Sequence, residues 1–139
     1  MWDKQASIDC LLVNIWTASQ WGHGRCAAHV RAATQAGGLT VGMPLGSMAK
    51  DYGLCVEKAG FKKVSGSPPP THESGDVAVI QPIKKADAGH MCMYDGTQWV
   101  SDFKQPLGIY PSHACENAKT AFATYRYSAA ADAPAKPTT

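Results

Sequence analysis

GHGRCAAHVRAATQAGG, residues 22–38, sets a cysteine between a glycine-rich turn and a run with helical character. The glycines at 22 and 24 let the chain turn sharply before Cys26, and the paired glycines at 37 and 38 suit the cap that ends a helix. A helix is therefore predicted from about Cys26 to Gly37. Its first turn carries unpaired backbone N–H groups and the positive end of the helix dipole, which favour an anion. A thiolate is the nucleophilic form of cysteine, and helix N-termini are among the places that stabilise it. The competing reading is that Cys26 is a small buried hydrophobe, as free cysteines commonly are.

Reading outward, the order of elements predicts an α+β domain. Residues 5–18, QASIDCLLVNIWTA, space Ile8, Leu11, Leu12, Ile15 and Trp16 for one face of an amphipathic helix. A third helix is expected over about 47–59, starting at a Ser47 cap and ending at Gly60. FKKVS (61–65), DVAVIQ (76–81), HMCMYD (90–95), QWVSDF (98–103) and FATYRY (122–127) read as strands. The prolines in GSPPPTHESG (66–75) allow neither element and predict an exposed loop. One domain is expected over 1–128, with a mobile tail over 129–139.

Composition narrows the function classes. The 139 residues are 45% hydrophobic and 17% charged, a globular balance. The longest apolar run, CLLVNIW at 10–16, is far shorter than the ~20 residues of a membrane span, so no membrane insertion is expected. A formal net charge of +2, with basic doublets only at Lys62-Lys63 and Lys84-Lys85, does not argue for nucleic acid. MWDKQASID has neither a basic start leading into an apolar core nor a cleavage site, so no secretory signal peptide is expected. The chain then stays in the cytoplasm, leaves by a route that needs no signal, or is a mature form.

A histidine at the start of a core strand can be held rigidly toward a helix packed on the sheet, which is what the general base of a cysteine nucleophile requires. His90 opens such a strand after Gly89, and Asp102 is the candidate to orient its imidazole. Alternation along strands makes this a question of parity: an odd hairpin loop puts Asp102 on the face of His90, an even one puts Ser101 there. An odd loop, Tyr94-Asp95-Gly96 with Gly96 left-handed, is predicted. Cys92 shares the parity of His90 but gains no helix dipole and reads as core.

GRCAAHVRAA together with GDVAVI, GHMCMYDG and WVSDF resembles the CHAP and NlpC/P60 group of papain-like peptidoglycan hydrolases, nearest to the type VI secretion amidase effectors. The likeness covers 22–36 and 75–103 well and the rest in outline. It implies a small papain-like domain with N-terminal helices packed on an antiparallel sheet, and a nucleophile Cys26, base His90 and third member Asp102. Members of the group vary at the third place among acidic, amide and histidine types. It also implies a cell-wall amidase or endopeptidase, made without a signal peptide, carried out by a specialised apparatus and acting in the periplasm of a target cell. Peptidoglycan peptides would be the substrate and a periplasmic immunity protein blocking the cleft the partner; the chain would act as a monomer.

The backbone N–H of Cys26 is free to serve an oxyanion hole, and the segment SQWGHG would supply the second donor, with His23, Gly24 and Trp21 as candidates. A histidine in such a loop is commonly just solvated, and Trp21, Trp99, Tyr94 and Tyr110 are as readily core as groove lining. His29 lies on the same helix flank and is expected to face solvent. Cys26, His29, His90 and Cys92 match no common zinc spacing, so no metal and no other cofactor is expected. Reserving Cys26 leaves Cys10, Cys55, Cys92 and Cys115, which allow three full pairings, none of them needed for stability. Two alternatives stand beside this reading: a papain-like hydrolase or acyltransferase with a substrate outside the cell wall, and a wall-binding module without catalysis.

Overall fold

The computed structural model describes residues 2–15, 25–64 and 72–128. Helix α1 spans Lys4–Val13, and its first turn is capped by Asp3, whose carboxylate accepts the Ala6 N–H at 3.0 Å. Asn14 follows it and donates Nδ2 to the Cys10 carbonyl at 2.8 Å, a side-chain bond typical of a helix end. The described part of α1 is thus shorter than the predicted 5–18, and Trp16 lies outside the described residues. Helix α2 spans Cys26–Ala36, as expected. Gly38 takes the left-handed φ of 102° that closes it, with its N–H on Gln35 O at 2.9 Å.

The expected third helix is divided. A 3-10 turn at Ala49–Asp51 leads through Tyr52 into α3, Gly53–Lys58. Ser47 does not cap it; its φ of 57° places it in a left-handed turn. The break buries Tyr52, and a Cβ on Gly53 would lie 2.6 Å from the Tyr125 hydroxyl. Packing here overrides the helical pattern. A short helix α4, His113–Ala118, was not foreseen; Ser112 caps it by accepting the Cys115 N–H at 3.2 Å.

Five strands form one antiparallel sheet in the order β1-β5-β2-β3-β4. They are β1 Phe61–Lys63, β2 Val77–Ile80, β3 His90–Tyr94, β4 Trp99–Val100 and β5 Phe122–Tyr127. The central pair, β2 and β3, is covered on both faces, which is why VAVI and HMCM read as continuous apolar runs. Val77, Val79, Met91 and Met93 pack on one face with Leu11, Val30 and Tyr52. Ala78, Ile80, Cys92 and Trp99 pack on the other with Ile109, Tyr110 and Phe122. At the start of β2, Asp76 is buried and holds Arg126 of β5 through two bonds of 2.9 Å. This α+β layering, helices on an antiparallel sheet, is the architecture that the sequence implied. Among the described residues no helix is long and apolar enough to cross a membrane.

Candidate active site

Cys26 is the first residue of α2, and it sits half-buried where α2 meets the start of β3. The backbone N–H groups of Met91, the residue after His90, and of Cys26 and Ala27 act on its sulfur. All three favour the thiolate, as expected of a helix start that has no side-chain cap. Burial outweighs them, and with the charge of Asp102 it pushes the Cys26 thiol above the ordinary cysteine value. The helix dipole alone therefore does not give a resting thiolate.

β4 is short, Trp99–Val100. Val100 pairs with Met93, and beyond it the chain leaves the sheet, so the edge of β3 at Met91 has no strand beside it. The turn over 101–103 is closed by Ser101 N–H on Phe103 O at 2.9 Å. The Met91 N–H on that edge is thus left to act on Cys26, where a longer strand would have brought a carbonyl.

The parity expectation fails at the loop. Tyr94 pairs with Trp99, which leaves residues 95–98 between them, an even loop. Asp95 sets it by accepting the N–H groups of Thr97 and Gln98 at 2.8 Å each, and Gly96 is left-handed at φ 106° as foreseen. Continued in this register, β4 would set Asp102 opposite Met91 and turn its side chain away from His90. Beyond Val100 the chain leaves that register. Asp102 is buried at 1% exposure, and its charge acts on both Cys26 and His90. Its Oδ2 accepts the backbone N–H of Arg25 at 3.0 Å and its Oδ1 the Ser101 hydroxyl at 3.2 Å.

His90 is buried at the start of β3, and Gly89 before it has a φ of 74°. Its Nε2 lies 2.6 Å from Oε1 of Gln105, a residue that sequence reasoning missed. Gln105 is itself buried and follows the turn after β4, in an irregular stretch where no periodicity marks a functional position. Burial pulls the His90 imidazole below the ordinary histidine value, against the smaller opposing effects of Gln105 and Asp102. Both shifts favour the uncharged forms, a thiol and a neutral imidazole. A groove of about 210 Å³ opens at His90, bordered by Pro82, Ile83, Ala88, Pro111 and Cys115.

The other sequence candidates separate clearly. Trp21, His23 and Gly24 lie outside the described residues, as does the tail over 129–139. His29 is half-buried with Nε2 3.2 Å from the Leu11 carbonyl, so it ties α2 to α1 instead of facing solvent. Cys92 is fully buried, its thiol pushed well above the ordinary value by burial, in keeping with a core role. Trp99 is buried as well, with its ring 5.2 Å from Tyr94 and 5.1 Å from His72. All five cysteines are free.

No family model matches the chain, and no curated protein does. Solved structures do. The type VI native effector-immunity complex Tae3-Tai3 from Ralstonia pickettii contains a chain 42% identical, covering 90% of this chain and 98% of its own length, at a TM-score of 0.77. The selenomethionine form of that complex matches at 41% identity over 86% of this chain and 98% of the other, at a TM-score of 0.75. The protein is a type VI secretion effector. Within that class, the chain belongs to the Tae3 family.

Proposed function

We propose that this effector is a peptidoglycan amidase in which Cys26 is the nucleophile and His90 the general acid and base. The observation that carries the reading is the meeting of Cys26, at the open N-terminus of α2, with the first residues of β3, in a chain 42% identical to a type VI effector. As the Cys26 sulfur attacks a stem-peptide carbonyl carbon, its proton passes to His90. The C–N bond then breaks, the leaving amine takes the proton from His90, and a thioester is left on Cys26. Water, deprotonated by His90, adds to the thioester; the acid is released and the thiol regains its proton. The N–H of Cys26, at the helix start, is aimed to stabilise the oxyanion formed in each half.

The substrate lies in the periplasm of a Gram-negative cell, so the toxin acts there after delivery. The relatives are solved as effector-immunity complexes, and a periplasmic immunity protein that covers Cys26 and the groove at His90 is the partner this reading gives the chain. Purified sacculi incubated with the protein should release soluble fragments whose masses name the cut bond, either D-glutamate to the diamino acid or the cross-link to D-alanine. The Cys26→Ala protein should release none. In a Gram-negative host the parent should lyse cells only when given a periplasmic signal, and only with Cys26 intact. Equal toxicity from the cytoplasm would move the substrate outside the wall.

A further inference from the structure

We propose that Gln105, and not Asp102, is the positioning residue that selects the working tautomer of His90. The inference rests on reading His90 as the base. Gln105 Nε2 donates to the carbonyls of Gly108 at 2.9 Å and Ile109 at 3.1 Å. Carbonyl oxygens only accept, so the amide nitrogen faces them and Oε1 faces the imidazole. An amide oxygen also only accepts, so the contact of 2.6 Å to Nε2 requires a hydrogen on that ring nitrogen. A neutral imidazole carries one N–H. Its lone pair is therefore on Nδ1, which is the nitrogen left to take the proton from a thiol.

The amide is well held for this work. Gln105 is 2% exposed, and its own N–H bonds the Trp99 carbonyl at 3.0 Å, so its backbone is fixed to β4 and its amide to residues 108 and 109. Asp102 serves a different place, the entry to α2, through the Arg25 N–H. Asp102 from the turn is the charge that acts on the imidazole, and Asp87 and Cys115 border the same groove. Gln105 adds no charge to them, and it orients the ring without the pull that a second carboxylate would exert.

The test reads the ring nitrogens directly. In nitrogen-15 histidine-labelled Cys26→Ala protein, His90 should show the pure Nε2–H tautomer by long-range proton–nitrogen correlation near neutral pH. Gln105→Met, which keeps the volume and loses the acceptor, should show a mixture of both tautomers. Asp102→Asn should keep the pure form. With Cys26 present, Gln105→Met should lower kcat on sacculi about 10- to 100-fold with KM little changed, the size typical of a lost partner that orients a functional histidine. Gln105→Glu keeps the acceptor and should hold the tautomer while moving the acidic limb of the rate profile to higher pH. A Gln105→Met spectrum still purely Nε2–H overturns the proposal. If Gln105→Met does not fold, an unshifted His90 titration in Gln105→Glu overturns it instead. The tautomer measurement involves no substrate, so a parent protein inactive on sacculi would sink the amidase reading alone.

Discussion

The carboxylate of Asp102 accepts the backbone N–H of Arg25 at 3.0 Å, tying the turn that follows β4 to the residue just before the nucleophile candidate. The bond spans 77 positions in sequence and joins the two parts of the chain that must meet for Cys26 and His90 to work together. A hydrogen bond to a charged acceptor is worth about 1.5–3 kcal/mol. Asp102→Ala should lower unfolding stability by about 2 kcal/mol in urea. Activity should fall further than stability explains, because the start of α2 loses its anchor. Asp102→Asn keeps an oxygen acceptor and should recover most of the stability. Equal losses in the two variants would show that the charge matters and the anchor does not.

Burial sets the thiol chemistry. Because Cys26 lies above the ordinary cysteine value, alkylation by iodoacetamide should be slow near neutral pH and should accelerate through the alkaline range. The midpoint should exceed the ~8.5 of a free cysteine. A midpoint in the acidic range, with fast alkylation at neutral pH, would mean that Cys26 and His90 rest as a thiolate and imidazolium pair.

The same burial makes stability depend on pH at His90. Its value is lowered in the folded chain, so below about 6.5 the unfolded chain binds the proton first. Stability from this group is complete above that pH and is lost as pH falls toward the folded value. Replacing His90 with Gln should flatten the fall in urea midpoint between neutral and mildly acid pH. An unchanged slope would place the acid sensitivity elsewhere.

Gly89 is needed for the placement of His90. Its φ of 74° is left-handed, and a Cβ there would lie 2.5 Å from the Ile80 carbonyl, on the strand residue that pairs with His90. Gly89→Ala should cost about 1–3 kcal/mol and shift the imidazole, so activity should drop even where the protein is fully folded. A folded Gly89→Ala protein at parent activity would show that the start of β3 tolerates the shift.

Far from the site, Asp76 and Arg126 form a two-bond pair with Asp76 buried and Arg126 about one-third exposed. Arg126→Met should lower stability by about 2–3 kcal/mol, below the ~3–5 of a fully buried pair because water still reaches the Asp76 side left open. Catalysis per folded molecule should not change. A loss of activity at intact stability would tie the β2–β5 seam to the site.

Local sequence alone determined much of this protein. The glycines around 22–38, the cysteine between them and the apolar runs of β2, β3 and β5 act over a few residues, through backbone freedom, missing N–H partners and side-chain alternation. They made α2, its first residue, the strand opened by His90 and the α+β class legible. Tertiary structure alone decided what depends on residues far apart. The 95–98 loop broke the expected parity, and beyond the early end of β4 the Asp102 carboxylate bonds the Arg25 N–H. Gln105 sits in an irregular stretch, and only folding brings its amide to His90. The sign of the Cys26 shift was likewise hidden, because the helix-start N–H groups can be read from one segment, whereas burial is the summed effect of every element packed around the sulfur.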